Sequence, residues 1–402
     1  MELPGVPTPL LEELRAAAVA IGVPRLALVG GVVRDQLLHQ RFGRAWTGVP
    51  DLDWVVEGDA AALAEELARR CGGRLTAVQE HGSFGTVALQ LDGTPLDLAT
   101  ARQEHYPAPA ENPVVRSGTL PADLVRRDFT INAMALDLVA GELIDLHHGQ
   151  EDLAEGQLRF LHGCSVQDDP TRVIRAARYA ARLGFQLSED ARVQIISTIQ
   201  AWPWCWRSGD SALQAPPALA SRLRMELDRL LEREPWRRAL DLLEQWQALP
   251  LLDPQLQNDP RRTQRLRWAQ RLGLPLMPAL LAGAADPVAV AQRLQIPGRQ
   301  QQWLQQCVAI ADWLTGAAPS LEASPSLWSA ALEEHGWQPE AVALTVALRP
   351  RQWKPLLRWW GRWRTIQAPQ TARDLMAAGW QPGPGIGAEL RRQRRAAQDA
   401  SR

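Results

Sequence analysis

The sequence predicts an α+β protein: a mixed head over residues 1–150, then a region that is helical almost throughout. Three observations carry this. Leu26–Val29 is a short apolar run that ends in Gly30-Gly31, and a second apolar run begins at Asp51-Leu52-Asp53. Strand-like runs at 74–78, 84–91 and 95–100 follow, with Asp92-Gly93, a strong hairpin signal, between the last two. Beyond residue 150 the strand pattern stops and helical spacing takes over. Composition shifts as well, since only Trp46 and Trp54 of the 17 tryptophans precede residue 200. At 402 residues the chain exceeds one typical domain. We read a head at 1–150, a helical neck at 151–250, and a helical body and tail at 251–402.

The elements follow in order. Residues 8–22 read as an amphipathic helix with Leu10, Leu11, Leu14 and Ala18 on its buried stripe. The run 26–29 is a strand, Gly30-Gly31 a tight turn, and Arg34-Asp35 lie in the helix that follows. A polar loop at 40–50 leads to the next strand. Side chains alternate along a strand, so Asp51 and Asp53 project from one face, with Leu52 and Trp54 on the other. A helix spans 59–70 and stops at Cys71-Gly72-Gly73. Four prolines in 103–122 predict a mobile loop. A helix is expected to carry Arg126–Ala133, and a hairpin around Ala140-Gly141 closes the head.

In the remainder the clearest helix is Pro170–Gly184. Its one proline lies in the first turn, where a missing N–H costs nothing. Further helices are expected at 188–199, 217–232, 235–248, 259–271, 287–295, 298–315, 339–347 and 372–378. Breaks near 250–260, 272–286 and 316–326 separate them.

Composition narrows the function. The net charge is −1, so any nucleic-acid surface must be a local patch. Four widely spaced cysteines without a CxxC argue against a zinc site or a disulfide framework. The start lacks the pattern of a signal peptide, and no apolar stretch is long enough to span a bilayer. A cytoplasmic protein with no membrane partner is expected.

Three segments carry chemistry. Two carboxylates on one strand face repel unless a cation lies between them or one is protonated. With a glycine turn that admits a phosphate, Asp51 and Asp53 look like a Mg²⁺-nucleotide site, and Asp97 is the candidate third acid. Taken alone, the pattern also describes a turn followed by solvated acids. In the second segment, adjacent Arg126 and Arg127 can hold triphosphate oxygens bidentately, and Asp128 and Asn132 are helix neighbours four apart. A helix cap with a solvated charge pair fits as well. In the third, Asp169, Arg172 and Arg175 recur every three residues. A carboxylate only accepts and a guanidinium only donates, which matches the edge shared by cytosine and adenine. A surface salt bridge is the plain alternative. Farther on, Arg349–Lys354 and Arg358–Arg364 interleave basic and aromatic residues, as an RNA surface or as a helix with inward tryptophans and solvated arginines. Arg391–Arg395 reads as a loose phosphate-binding tail or a disordered one.

The segments LVGGVVRDQLL, DLDWVV, EHGSFGTVAL with LDLATAR, LVRRDFTINAMAL, LIDLHHGQEDL and DDPTRVIRAARYAARLGF stand in one order. Over roughly residues 25–185 the sequence resembles the class II tRNA nucleotidyltransferase/poly(A) polymerase family, which includes the CCA-adding enzymes. The resemblance implies a polymerase-β-like nucleotidyltransferase head and an all-α neck, body and tail that hold tRNA. It implies Mg²⁺ on Asp51 and Asp53, and nucleotide contacts from the Gly30-Gly31 turn, Arg34, Arg126 and Arg127, with Asp128 and Asn132 beside them. It implies that Asp169 and Arg172, followed by Arg175 and Arg178, act as a protein template for CTP and ATP. Two features depart from the family pattern: Asp168 stands where a Glu is usual, and Arg41–Arg44 lengthen the segment before Asp51. The loop 102–123 looks complete, which favours full CCA addition over CC-only, A-only or poly(A) synthesis. A non-catalytic RNA-binding protein is the alternative of a different class. No His-Asp dipeptide occurs, so the phosphohydrolase domain of the long bacterial form is not expected.

Overall fold

A computed structural model describes residues 4–46, 52–81 and 85–401. Asp51 and Phe84 lie outside the described residues. The chain divides into two compact units. The first comprises Met1–Cys205, Pro216–Leu219 and Glu234–Ala248; the second comprises Trp206–Ala215, Ala220–Arg233 and Leu249–Arg402.

The first unit is built on a sheet of β1 (Arg25–Val29), β2 (Leu52–Glu57), β3 (Leu75–His81), β4 (Thr86–Leu91), β5 (Thr94–Thr100), β8 (Ala135–Asp137) and β9 (Glu142–Ile144). A separate pair, β6 (Arg102–His105) and β7 (Val114–Ser117), lies between β5 and β8 in sequence. The sheet order is β3-β4-β5-β2-β1-β8-β9, with β2 and β5 parallel and the other neighbours antiparallel. Period-two patterning sets its two faces. Leu26, Leu28, Trp54, Val56, Leu96 and Leu98 are buried on one. On the other, Ala27, Val29 and Val55 pack with Leu120 and Leu124 of the short helix α4 (Leu120–Val125).

Helices α1 (Thr8–Ala20) and α3 (Ala60–Cys71) pack on the sheet, burying Leu10, Leu14, Leu63 and Leu67. Each such leucine stabilises by roughly 1.5–3 kcal/mol relative to exposure. Asp59 caps α3 by accepting the Ala61 N–H at 2.9 Å. Helix α2 (Gly31–Phe42) runs through Gln40–Phe42, where a polar loop was expected, and ends at Gly43 with φ 63°.

Two expectations are corrected. Residues 103–122 contain an antiparallel ladder that pairs Arg102 with Ser117 and His105 with Val114. Pro107, Pro109 and Pro113 fall in its connection and Pro121 in the first turn of α4, so the prolines mark turns. At the tip, buried Ala110 donates its N–H to the Asp168 carbonyl (3.2 Å) and accepts the Ala218 N–H (3.1 Å). The helix expected over Arg126–Ala133 is absent. Helix α4 stops at Val125, Phe129 is extended and bridges Phe160, and Thr130–Asn132 form one 3₁₀ turn. The Asp128 carboxylate takes the Phe129 N–H at 2.8 Å, and the Thr130 N–H goes to the Arg159 carbonyl at 3.1 Å. A side chain that captures a nearby backbone N–H competes with helix formation.

Helix α5 (Gly149–Glu155) abuts this turn, and α6 (Ser165–Asp168), α7 (Thr171–Leu183) and α8 (Glu189–Ala201) follow. Helix α7 starts after Pro170, ends at Gly184 with φ 79°, and buries Val173, Ile174, Ala176, Ala177 and Ala180. The helix Trp236–Gln245 packs against it.

The second unit is helical. The expected break at 272–286 holds a short helix, Leu276–Leu281. Trp353–Gly361 is the helix weighed for the basic and aromatic stretch, whereas helices Pro325–Glu334 and Pro384–Asp399 were not anticipated. The last one corrects the disordered or loose tail: Arg394 makes two bonds to Glu333 (2.8 and 2.7 Å), and Arg392 pairs with Glu389 one turn away. Trp359 and Trp363 are buried, as inward packing requires, whereas Arg349 lies 3.7 Å from the ring centre of half-buried Trp353. No described helix is long and apolar enough to cross a membrane.

Gly149 supplies a stability prediction. A Cβ there would collide with the Thr130 carbonyl oxygen and lie 2.9 Å from Met134 Cγ. Gly149→Ala should lower stability by about 1–3 kcal/mol, the usual cost of overpacking, read as a lower midpoint in urea unfolding.

Candidate active site

The parallel pairing of β2 with β5 sets Asp53 directly beside Asp97. Both project from the sheet face opposite buried Trp54 and Leu98, and both are exposed. They line a cavity of about 350 Å³ together with Thr86, Arg102, Arg126 and Arg127. Adjacent exposed carboxylates repel, and their oxygens are the hard donors that Mg²⁺ prefers. The donor set therefore fits a hard divalent cation.

The glycine turn closes one side of this cavity. Gly30 has φ 77°, a conformation that side chains resist, and it forms the N-cap of α2. A Cβ on Gly30 would lie 3.5 Å from Arg127 Nη1 and 4.0 Å from Asp53 Oδ2. Turn, arginine and acid thus meet within one side chain's width. Gly31 opens the helix, whose terminal N–H groups favour anions. Arg34, one turn on, is 3% exposed. It holds Asp35 with Nε (2.8 Å) and Nη2 (3.0 Å), and gives Nη1 to Asn132 Oδ1 (2.7 Å).

The twin arginines share a partner that sequence reasoning missed. Fully buried Asp123 takes Arg126 on Oδ1 (Nε 3.0 Å, Nη2 2.7 Å) and Arg127 on Oδ2 (2.8 Å). Arg126 also reaches Glu104 at 3.1 Å. Burial alone would raise the Asp123 carboxyl, but Arg127 and then Arg126 outweigh it and hold it below the ordinary carboxylate range. The signal was present as an acid three and four residues before two arginines, but the loop expectation for 103–122 hid it. Arg127 Nε is buried without an acceptor among the described residues, an unmet donor beside Asp53. Such a group points to an oxygen-rich ligand.

A chain of polar side chains, buried at Arg34, Asn132 and Asp128 and half-buried at Arg175, links α2 to α7. Asn132 donates to Asp128 Oδ1 at 3.0 Å, and Asp128 Oδ2 takes Arg175 Nε (2.8 Å) and Nη2 (2.6 Å). Arg34, Asn132, Asp128 and Arg175 are thus joined in series. Tyr179 lies beneath it, with Arg34 and Arg182 about 5 Å from its ring centre and Phe129 edge-on at 5.7 Å.

Asp169 Oδ1 accepts the Thr171 N–H (3.1 Å) and hydroxyl (2.6 Å), which fixes it on the first turn of α7. Arg172 donates Nη2 to the Arg126 carbonyl at 2.8 Å, and its Nη1 lies 3.3 Å from His162 Nε2. Of the anticipated residues, Gly30, Asp53, Asp97, Arg126 and Arg127 converge on the cavity. Gly31, Arg34, Asp128, Asn132, Asp169, Arg172 and Arg175 lie outside its lining: Gly31 opens α2, Arg34, Asn132, Asp128 and Arg175 form the bonded series, Arg172 meets the Arg126 carbonyl, Asp169 holds Thr171, and Arg178 reaches Glu234 at 3.4 Å.

Burial pushes Asp128 upward, yet Arg175, Asn132 and Arg172 together hold it below the ordinary range. A depressed carboxyl contributes stability that is present above its unfolded value, about 3.9, and is lost as pH falls through its folded value. Asp128→Asn should therefore lower stability near neutrality. It should also flatten the loss below about pH 4 in denaturation curves recorded across acid pH.

The poly(A) polymerase head-domain family matches residues 26–159. A CC-adding tRNA nucleotidyltransferase from Deinococcus radiodurans is 33% identical over 386 residues, covering 91% of this chain and 82% of its own. An A-adding tRNA nucleotidyltransferase from Aquifex aeolicus is 47% identical over 167 residues, which is 41% of this chain but only 19% of that relative. The solved structure of a CCA-adding enzyme in its apo form II superposes with a TM-score of 0.74 at 25% identity, covering 98% of this chain and 93% of the other. The match spans nearly the whole chain in sequence and in fold, and the chain belongs to the tRNA nucleotidyltransferase/poly(A) polymerase family.

Proposed function

We propose that this protein adds CCA to tRNA 3′ ends without a nucleic-acid template, using CTP and ATP. The observation that carries the reading is the meeting of Asp53, Asp97, Gly30 and the unmet Arg127 donor around one cavity. Arg126 and Arg127 hold triphosphate oxygens with the parts of their planar forks that Asp123 does not occupy. The N-terminus of α2 adds N–H groups for the same charge. Asp169 and Arg172 read the base: the carboxylate accepts from the exocyclic amine and the guanidinium donates to the ring nitrogen. Uracil and guanine reverse that order and leave both side chains unpaired, a mismatch that costs on the order of 10⁴ in selectivity when buried. Asp51 and Asp53 are the residues that would hold Mg²⁺, with Asp97 alongside, and the chemistry supplied there would be charge stabilisation of the attacking 3′-oxygen and of the phosphate. Nucleotides and tRNA place the work in the cytoplasm. The matched stretch is less than half the length of several relatives.

A second reading has its own support. The D. radiodurans relative, similar over most of the chain, is a CC-adding enzyme. One assay separates the two: purified protein, a tRNA lacking CCA, labelled CTP and ATP, and Mg²⁺. A product ending in CCA supports the first reading and one ending in CC supports the second. Long A-tails would oppose both. Asp53→Ala should cut incorporation by on the order of 10²–10³ or more, the scale of losing one charge-stabilising group. Asp169→Ala should relax base choice more than it weakens tRNA binding. An equal loss for all four nucleotides would refute its reading role.

A further inference from the structure

We propose that His162 is a positioning residue for base selection: its unprotonated Nε2 fixes the plane of the Arg172 guanidinium, so that Arg172 presents a single donor geometry to the incoming base. The inference rests on the reading of Arg172 as a base reader.

The geometry is specific. Arg172 is buried and has two partners on two different nitrogens, the Arg126 carbonyl on Nη2 at 2.8 Å and His162 Nε2 beside Nη1 at 3.3 Å. One contact alone would let the guanidinium swing about it. Two contacts, on both terminal nitrogens, fix its position and its rotation. Those bonds use two of its five N–H groups and leave the remainder for a ligand. An arginine never accepts, so the histidine nitrogen facing it must be the acceptor and the ring proton belongs on Nδ1.

His162 is itself held. Its carbonyl accepts from Gln194 Nε2 (3.0 Å) and from the Ser165 N–H (3.2 Å), while Gln194 Oε1 takes the Val166 N–H (3.2 Å). Gln194 of α8 thus clamps the segment that carries the ring. The charged groups around the ring are Arg172 of α7 and Asp168 of α6, with Asp169 and His105 acting on Asp168. Burial and the Arg172 charge hold His162 below its ordinary value of 6.5, which keeps the acceptor form at neutral pH. Protonation would replace the acceptor with a second cation facing Arg172.

The test compares His162→Leu, His162→Gln and Arg172→Ala with wild type in the tRNA extension assay. It reads the kcat/KM ratio of CTP over UTP and of ATP over GTP, together with KM for tRNA. His162→Leu should lower the discrimination ratios about tenfold, the scale of one hydrogen bond to a charged group, with tRNA KM unchanged. His162→Gln, whose amide oxygen can accept at the same reach, should restore most of the loss. In wild type the ratios should stay level near neutrality and fall only as pH drops below about 6.5, and in His162→Gln they should stay level throughout. Wild-type ratios in His162→Leu, or equal losses in the Leu and Gln variants, would overturn the positioning role. If His162→Leu does not fold, the pH profiles of wild type and His162→Gln decide alone, and parallel profiles would overturn it. Unchanged ratios in Arg172→Ala would instead remove the base reader and the positioning role with it. A loss in Arg172→Ala without one in His162→Leu removes only the latter.

Discussion

The buried Asp128 carboxylate is the interaction on which the site depends. It takes the Arg175 fork, the Asn132 amide and the Phe129 N–H, and through Asn132 it reaches Arg34. Moving a carboxylate out of water costs several kcal/mol even after relaxation, and only a full set of donors offsets that. Its donors come from the turn after α4 and from α7, and Arg34 of α2 joins the set through Asn132. A side chain that must be ionised and surrounded therefore ties together the helix after the glycine turn, the twin-arginine segment and helix α7. Removing any one donor leaves charge without compensation, so the elements are held as a unit.

Arginine suits this arrangement where lysine would not. Arg126, Arg127 and Arg172 each spend part of a planar five-donor group on protein acceptors. What remains is already oriented, and less rotamer entropy is lost when a ligand arrives. Lysine offers one mobile ammonium and could not be divided in this way. The chain's net charge of −1 does not oppose anion binding, because cation density is local to the cavity and the carboxylates Asp123 and Asp128 lie behind it.

Local signals were legible and long-range ones were not. The alternation of Leu52, Asp53 and Trp54, the Gly30 turn and the cap at Pro170 are set by residues within a few positions of each other, and the structure follows them. The expected helix over Arg126–Ala133 failed because Asp128 captured the Phe129 N–H and Thr130 bonded to Arg159, a partner 29 residues away. The expected mobility of 103–122 failed because Ala110 is paired on both sides to distant backbone. Asp123 could have been found from its spacing to the arginines. His162 could not, since its role exists only where α7 brings Arg172 against it. The C-terminal arginines misled for the same reason: Glu333, the partner of Arg394, is 61 residues away.

The acids themselves are placed by hydrophobic burial. In β2 and β5 the residues beside Asp53 and Asp97 are Leu52, Trp54, Leu96 and Leu98, all buried. A slip of one residue would turn these inward side chains to water and the carboxylates into the core. Burying each large apolar side chain is worth roughly 1.5–3 kcal/mol. Two exposed carboxylates at about 5 Å in water repel by only about 1 kcal/mol. The packing term wins by several-fold, so the fold holds the like charges side by side before any cation arrives. A divalent cation held there would relieve a repulsion that the sheet already imposes. That order of magnitudes explains how the sheet keeps Asp53 and Asp97 side by side on its open face.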